Sequence, residues 1–177
     1  MVGAGNVLFH DEGVGIFAQR FLDENYNFSG DVTIVDGGVL GFQLMTYYQD
    51  YDRVLILDTI TMHNDEAGSI YAIPAQELLG LGSYKQNAHE VEIVEMLEIC
   101  SLLDKMADVT IVGIVPQDII DVKTDLTPRI RANFDNFIKT AIGELEKMGI
   151  EVSQKADTKT LDEIIDMYQN PKAERMI

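Results

Sequence analysis

"GNVLFHDEGVGIFAQRFL" spans Gly5 to Leu22, and its reading decides the fold. It begins like a nucleotide-binding turn. It continues as a buried helix, because Val14, Phe17, Ala18, Phe21 and Leu22 recur at helical spacing. Between the two halves sit His10, Asp11 and Glu12, three polar groups in a row. The preceding "MVGAGN" reads as the last residues of a strand whose first half is short or missing.

The same alternation continues downstream. "DVTIVDGG" (31–38) predicts a buried strand ending in a glycine turn. "RVLILDTI" (53–60), "GSIYAI" (68–73, closed by Pro74) and "DVTIVGIVP" (108–116) predict three more strands. Helical stripes fill the gaps. "GFQLMTYY" (41–48) is a short one, and Ile93, Met96, Leu97, Cys100 and Leu103 form another. Phe134, Phe137, Ile138, Ala141, Ile142 and Leu145 form a third, opened by Thr127 as cap with Pro128 behind it. Strands alternating with helices imply an α/β three-layer sandwich. The expected sheet is mostly parallel and twisted, with about five strands and helices on both faces. Residues 1–150 form the expected domain. After Gly149 the core pattern ends, so 151–177 reads as a mobile or docking tail that the fold can lose. "TLDEIIDMYQN" (160–170) offers one short amphipathic helix there, with Leu161, Ile164, Ile165 and Tyr168 on one side.

Composition narrows the function. The chain has 177 residues, the size of one domain, and 46% of them are hydrophobic. No apolar run reaches the roughly 18 residues of a membrane span, and no basic-then-apolar leader opens the chain. Thirty acidic against 13 basic residues give a net charge of −17, which argues against nucleic acid and anionic membranes as partners. A single cysteine excludes a disulfide framework and suits a reducing cytoplasm.

Dinucleotide binding fails at the opening loop. The fingerprint G-x-G-x-x-G needs a third glycine, but Gly3-Ala4-Gly5-Asn6-Val7 is followed by Leu8. A lysine phosphate loop is absent, and an acidic pair would repel a pyrophosphate. The bland reading of the pair is that Asp11 caps the helix starting near Gly13, with Glu12 in its first turn. That accounts for one acid and leaves the other as a hard ligand.

Open α/β sheets bind ligands beyond the carboxyl ends of their strands. Glu12 follows the first strand, Asp36 ends the 31–36 strand, and Asp58 ends the 53–58 strand. These three acids are expected at one crevice. His89 precedes the 93–103 stripe by one turn on the same face. It reads either as a fourth ligand or as a local cap. One imidazole with two or three carboxylates suits nickel, zinc, manganese or iron, and leaves coordination positions open. His10 is expected to face solvent, and His63 sits in the polar loop "TMHNDEAG", so both stand outside the set. No G-x-S-x-G elbow and no H-E-x-x-H occurs, and the lone cysteine lies mid-helix.

"GAGNVLFHDEGVG", "VDGGVLG", "VLILDTI", "AGSIYAI", "AHEVEIVEML", "VGIVPQDI" and "LTPRIRANF" resemble, in order and spacing, the hydrogenase maturation proteases. The resemblance covers about residues 2–150. It implies a cytoplasmic, monomeric, aspartic-type endopeptidase. Its partner would be the precursor of the NiFe-hydrogenase large subunit, whose C-terminal extension it removes after nickel insertion. On the family pattern Glu12, Asp58 and His89 match the metal-binding set, and Asp36 matches the functionally important acid of D-G-G. The implied metal is nickel supplied by the substrate, with zinc or cadmium as substitutes. Phe9-His10 before the acid pair and Ala67 before Gly68 depart from the usual pattern. Two rivals stand beside this reading: a metallohydrolase holding its own zinc or manganese, and a non-catalytic chaperone that senses nickel loading.

Overall fold

Two central strands sort their side chains to opposite faces. In Arg53–Thr59, Val54 and Ile56 join one apolar cluster with Tyr48, Ala75, Val109 and Ile111. Leu55 and Leu57 join the other, with Phe17, Leu22, Val112 and Ile114. A strand buried on both faces needs a continuous apolar run, and "VLIL" is one. This is the centre of a computed structural model that describes residues 1–38, 44–61, 65–79 and 107–171.

The described elements run β1 (Val2–Ala4), a 3-10 turn (His10–Gly13), α1 (Val14–Asn25), β2 (Tyr26–Phe28), β3 (Val35–Gly38) and α2 (Leu44–Asp50). Then come β4 (Arg53–Thr59), β5 (Ile70–Pro74), α3 (Ala75–Leu79), β6 (Asp108–Ile114), α4 (Pro128–Lys147), β7 (Val152–Gln154) and α5 (Leu161–Gln169). The main sheet has five strands in the order β3-β1-β4-β6-β5. β3, β1, β4 and β6 are mutually parallel, and β5 lies antiparallel to β6. Side chains of α1, α4 and α5 build one cluster, while Tyr48 of α2 and Ala75 of α3 belong to the other. The three-layer α/β architecture is therefore as expected. No described helix is long and apolar enough to cross a membrane.

Three features differ from the sequence expectation. The 31–38 strand shrinks to Val35–Gly38, and its Asp36 is exposed. β3 is an edge strand with one neighbour, so half its surface meets water. Second, a two-stranded sheet pairs β2 with β7 antiparallel. Both strands are three residues long, too short to show a period of two.

Third, the tail packs against the core. Ile164 is 0% and Ile165 2% exposed, inside the same cluster as Phe17 and Phe134. Asn25, at the end of α1, is buried and donates through Nδ2 to the carbonyl of Lys159 at 2.9 Å. Arg131 of α4 reaches Asp162. A Thr160–Glu163 capping box opens α5. One helical stripe, a three-residue strand and one amide help seat the segment, and none of them prolongs the core periodicity that ends at Gly149. The 93–103 stripe lies outside the described residues.

Candidate functional site

The site begins with a close approach. A Cβ on Gly15 would sit 2.1 Å from the Leu57 carbonyl oxygen and 2.4 Å from that of Ala4. The first turn of α1 therefore rests directly on the ends of β1 and β4. This is the packing duty that the third glycine serves in a dinucleotide fold, here carried by Gly15 where the fingerprint has Leu8. Gly5 follows with φ of 124°, and a Cβ there would lie 1.9 Å from the Glu12 carbonyl oxygen. The Asn6 amide donates to that same oxygen at 3.2 Å, and the Glu12 amide donates to Phe9 at 3.0 Å. The loop curls back so that Glu12, half-buried, stands over the end of β1.

Asp11 does something else. It is 0% exposed, and it makes no capping bond to α1. Its Oδ2 accepts from the amides of Gln117 (2.9 Å) and Asp118 (3.0 Å) and from the Thr127 hydroxyl (2.9 Å). Its Oδ1 accepts from the Thr127 amide at 2.7 Å. The predicted cap of α1 is thus corrected. α1 starts tight against the sheet, where no room exists for a carboxylate, and the acid turns toward the loop after β6. Thr127 is the N-cap expected for α4, accepting from the Ile130 amide. Asp11 is thus the structural member of the pair, and Glu12, half-buried, follows it in the 3-10 turn.

Asp58 is the penultimate residue of β4, in line with Gly113 of β6, and is 2% exposed. Its Oδ1 accepts from the Thr59 amide at 2.7 Å, and would lie 3.8 Å from a Cβ on Gly5. The Glu12 backbone, from the 3-10 turn, and the Asp58 carboxylate, from β4, thus border the same glycine. The chain leaves β1 toward β3 on one side and leaves β4 toward β6 on the other. Their carboxyl ends form the topological switch point, where such sheets place their ligand. Asp36 is the second residue of β3, aligned with Gly3 of β1. Its Oδ1 accepts from the Gly38 amide at 3.2 Å and its Oδ2 faces the Tyr168 hydroxyl at 3.4 Å. A cavity of about 170 Å³ opens between Gly5, Asn6, Val7, Ile16, Asp36 and Tyr168. A larger one, about 720 Å³, lies at the opposite edge among Met1, Thr33, Tyr47, Arg53 and Met148, and none of the nominated acids lines it.

The histidines divide differently. His89 and His63 lie outside the described residues. His10 faces inward, against the expectation of a solvent-facing ring. Its side chain is 12% exposed, its φ is 47°, and its Nδ1 stands 3.7 Å from Asp118. The loop that Asp11 ties down closes over it. Among the described residues, no three His, Cys, Asp or Glu side chains converge as a metal site. Chemically, the edge offers half-buried and buried carboxylate oxygens beside a backbone-lined cleft. It suits a hard cation or a protonated group of a substrate. Sequence reasoning missed Tyr168 as a cleft residue. Its place on the inward stripe of 161–168 was the available signal.

Comparison with known proteins agrees with this architecture. The family model for hydrogenase maturation protease matches residues 18–144. The hydrogenase expression/formation protein HupD of Rhizobium leguminosarum is 28% identical over 159 residues, covering 89% of this chain and 78% of that protein. The hydrogenase 2 maturation protease of Escherichia coli is 24% identical, covering 85% of this chain and 92% of that one. Among solved structures, the hydrogenase maturating endopeptidase HybD of Escherichia coli shares the fold with a TM-score of 0.80 at 24% identity, over 89% of this chain and 97% of that one. The NiFe-hydrogenase maturation protease HybD of Thermococcus kodakarensis aligns with a TM-score of 0.65 at 26% identity, over 83% and 95%.

Proposed function

This chain belongs to the hydrogenase maturation protease family, and from that premise we propose that it cuts the C-terminal extension from a NiFe-hydrogenase large-subunit precursor once nickel is in place. The observation that supports the proposal is that the Glu12 backbone and the Asp58 carboxylate both approach Gly5 just after β1, with Asp36 on the neighbouring β3. Glu12 and Asp58, with His89, are the groups assigned to grip the substrate's nickel. An incomplete set is what a cargo metal needs, since the partner keeps its own ligands on it. Nickel belongs to the substrate in this reading, and zinc or cadmium can stand in for it. Asp36 takes the role of general base or of a group that positions the scissile segment. The enzyme is read as an aspartic-type endopeptidase acting as a monomer in the cytoplasm.

The test is direct. Purified chain is incubated with nickel-loaded and with nickel-free precursor, and the mass of each precursor is followed. Loss of the C-terminal extension only from the loaded form is expected. Equal cleavage of both forms would remove the nickel checkpoint. Stoichiometric zinc or manganese in the purified chain would favour a self-contained metallohydrolase. Unchanged precursor mass, with binding retained, would favour a chaperone that does not cut.

A further inference from the structure

The C-terminal helix brings one functional group to the cleft that the proposed mechanism does not use. Tyr168 lies beyond residues 18–144 matched by the family model. Its ring meets Phe17 edge-on, with centroids 5.5 Å apart and an interplanar angle of 80°. Its helix is anchored separately by the buried Ile164 and Ile165 and by the Thr160–Glu163 capping box. The phenol is thus placed by packing, and Asp36 is not needed to hold it. Its hydroxyl then stands 3.4 Å from Asp36 Oδ2, while the Gly38 amide occupies Oδ1 at 3.2 Å. The carboxylate is held at both oxygens. It shares the 170 Å³ cavity with Tyr168 and the Gly5–Val7 loop.

We propose that Tyr168 is a positioning residue, whose hydroxyl holds the Asp36 carboxylate toward the cavity so that α5 completes the cleft. The proposal rests on the reading that Asp36 acts there. The phenol serves as a donor because burial, and then the negative charge of Asp36, push its pKa well above the ordinary tyrosine range. Arg20 and Asp23 of α1 are the other charged groups that act on it.

Tyr168→Phe keeps the ring against Phe17 and removes the hydroxyl. Processing of nickel-loaded precursor is measured at saturating and limiting concentrations, in the native chain and in an Asp36→Asn background, with melting temperature beside it. We expect kcat to fall about tenfold, the loss of one hydrogen bond to a charged group. KM and melting temperature stay unchanged, and in the Asp36→Asn background the tyrosine change has no further effect. Wild-type kcat in Tyr168→Phe, with Asp36→Asn slow, overturns the tyrosine proposal and leaves the Asp36 reading standing. Equal slowing by Tyr168→Phe in both backgrounds also overturns it, since the hydroxyl would then act without Asp36. Full activity in Asp36→Asn overturns the reading of Asp36 itself.

Discussion

Asp11→Asn isolates the structural half of the Asp-Glu pair. The carboxylate is fully buried and accepts from Gln117, Asp118 and twice from Thr127. An amide must turn an NH₂ toward one of those oxygen positions. At Oδ2 it would oppose three donors, so it turns toward Oδ1 and opposes only the Thr127 amide. One buried donor left unpaired costs about 1–3 kcal/mol. The other three bonds fall from charged to neutral strength, losing about 1 kcal/mol each. Relief from burying a charge offsets part of this. The net loss is about 3 kcal/mol. For a chain of this size 1 kcal/mol moves the melting temperature by about 2–4 °C, so a fall of about 6–12 °C is expected. Thermal unfolding followed by circular dichroism measures it, with Glu12→Gln alongside. Glu12→Gln is expected to shift melting by less than about 3 °C. An Asp11→Asn variant melting within about 2 °C of the native chain would refute the assignment of Asp11 as the tie for the 117–127 loop.

Other outcomes follow from the same structure. His89→Ala and Glu12→Gln are expected to slow precursor processing at least tenfold, about 1.4 kcal/mol of transition-state stabilisation, while His63→Ala processes normally; a fully active, folded His89→Ala would show the imidazole to be structural. Ending the chain at residue 152 removes Ile164 and Ile165 from the core, at a cost of about 4 kcal/mol or more, so melting should fall by at least about 8 °C, and an unchanged melting curve would mean the segment does not pack as described. The Thr160 amide and hydroxyl hold the Glu163 carboxyl below the usual glutamate range. A lowered folded pKa gives stability that is present above the unfolded value, about 4.3, and is lost as pH falls through the folded value. Glu163→Gln should therefore flatten the dependence of melting temperature on pH between about pH 5 and 3, and an identical slope in the variant would show that the capping box contributes nothing there.

Sequence by itself determined the layers and let the candidate site be nominated. The "VLIL" run needs burial on both faces, and the stripes of α1 and α4 need an apolar partner, so only a sheet covered by helices satisfies them. Strand ends in such a sheet share an edge, which is why Glu12, Asp36 and Asp58 could be nominated from their positions alone. Local periodicity carries this information because each pattern is spelled within one element. Only the tertiary structure decided the rest. It tied Asp11 to the loop after β6, turned His10 inward, seated residues 152–169 against the core and brought Tyr168 to Asp36. Asp11 meets its donors across 106 to 116 residues, and Tyr168 meets Asp36 across 132. Partners so far apart leave no mark in any short window of sequence. Which carboxylate is consumed by the fold depends on where the chain returns, and that is settled only when the layers close.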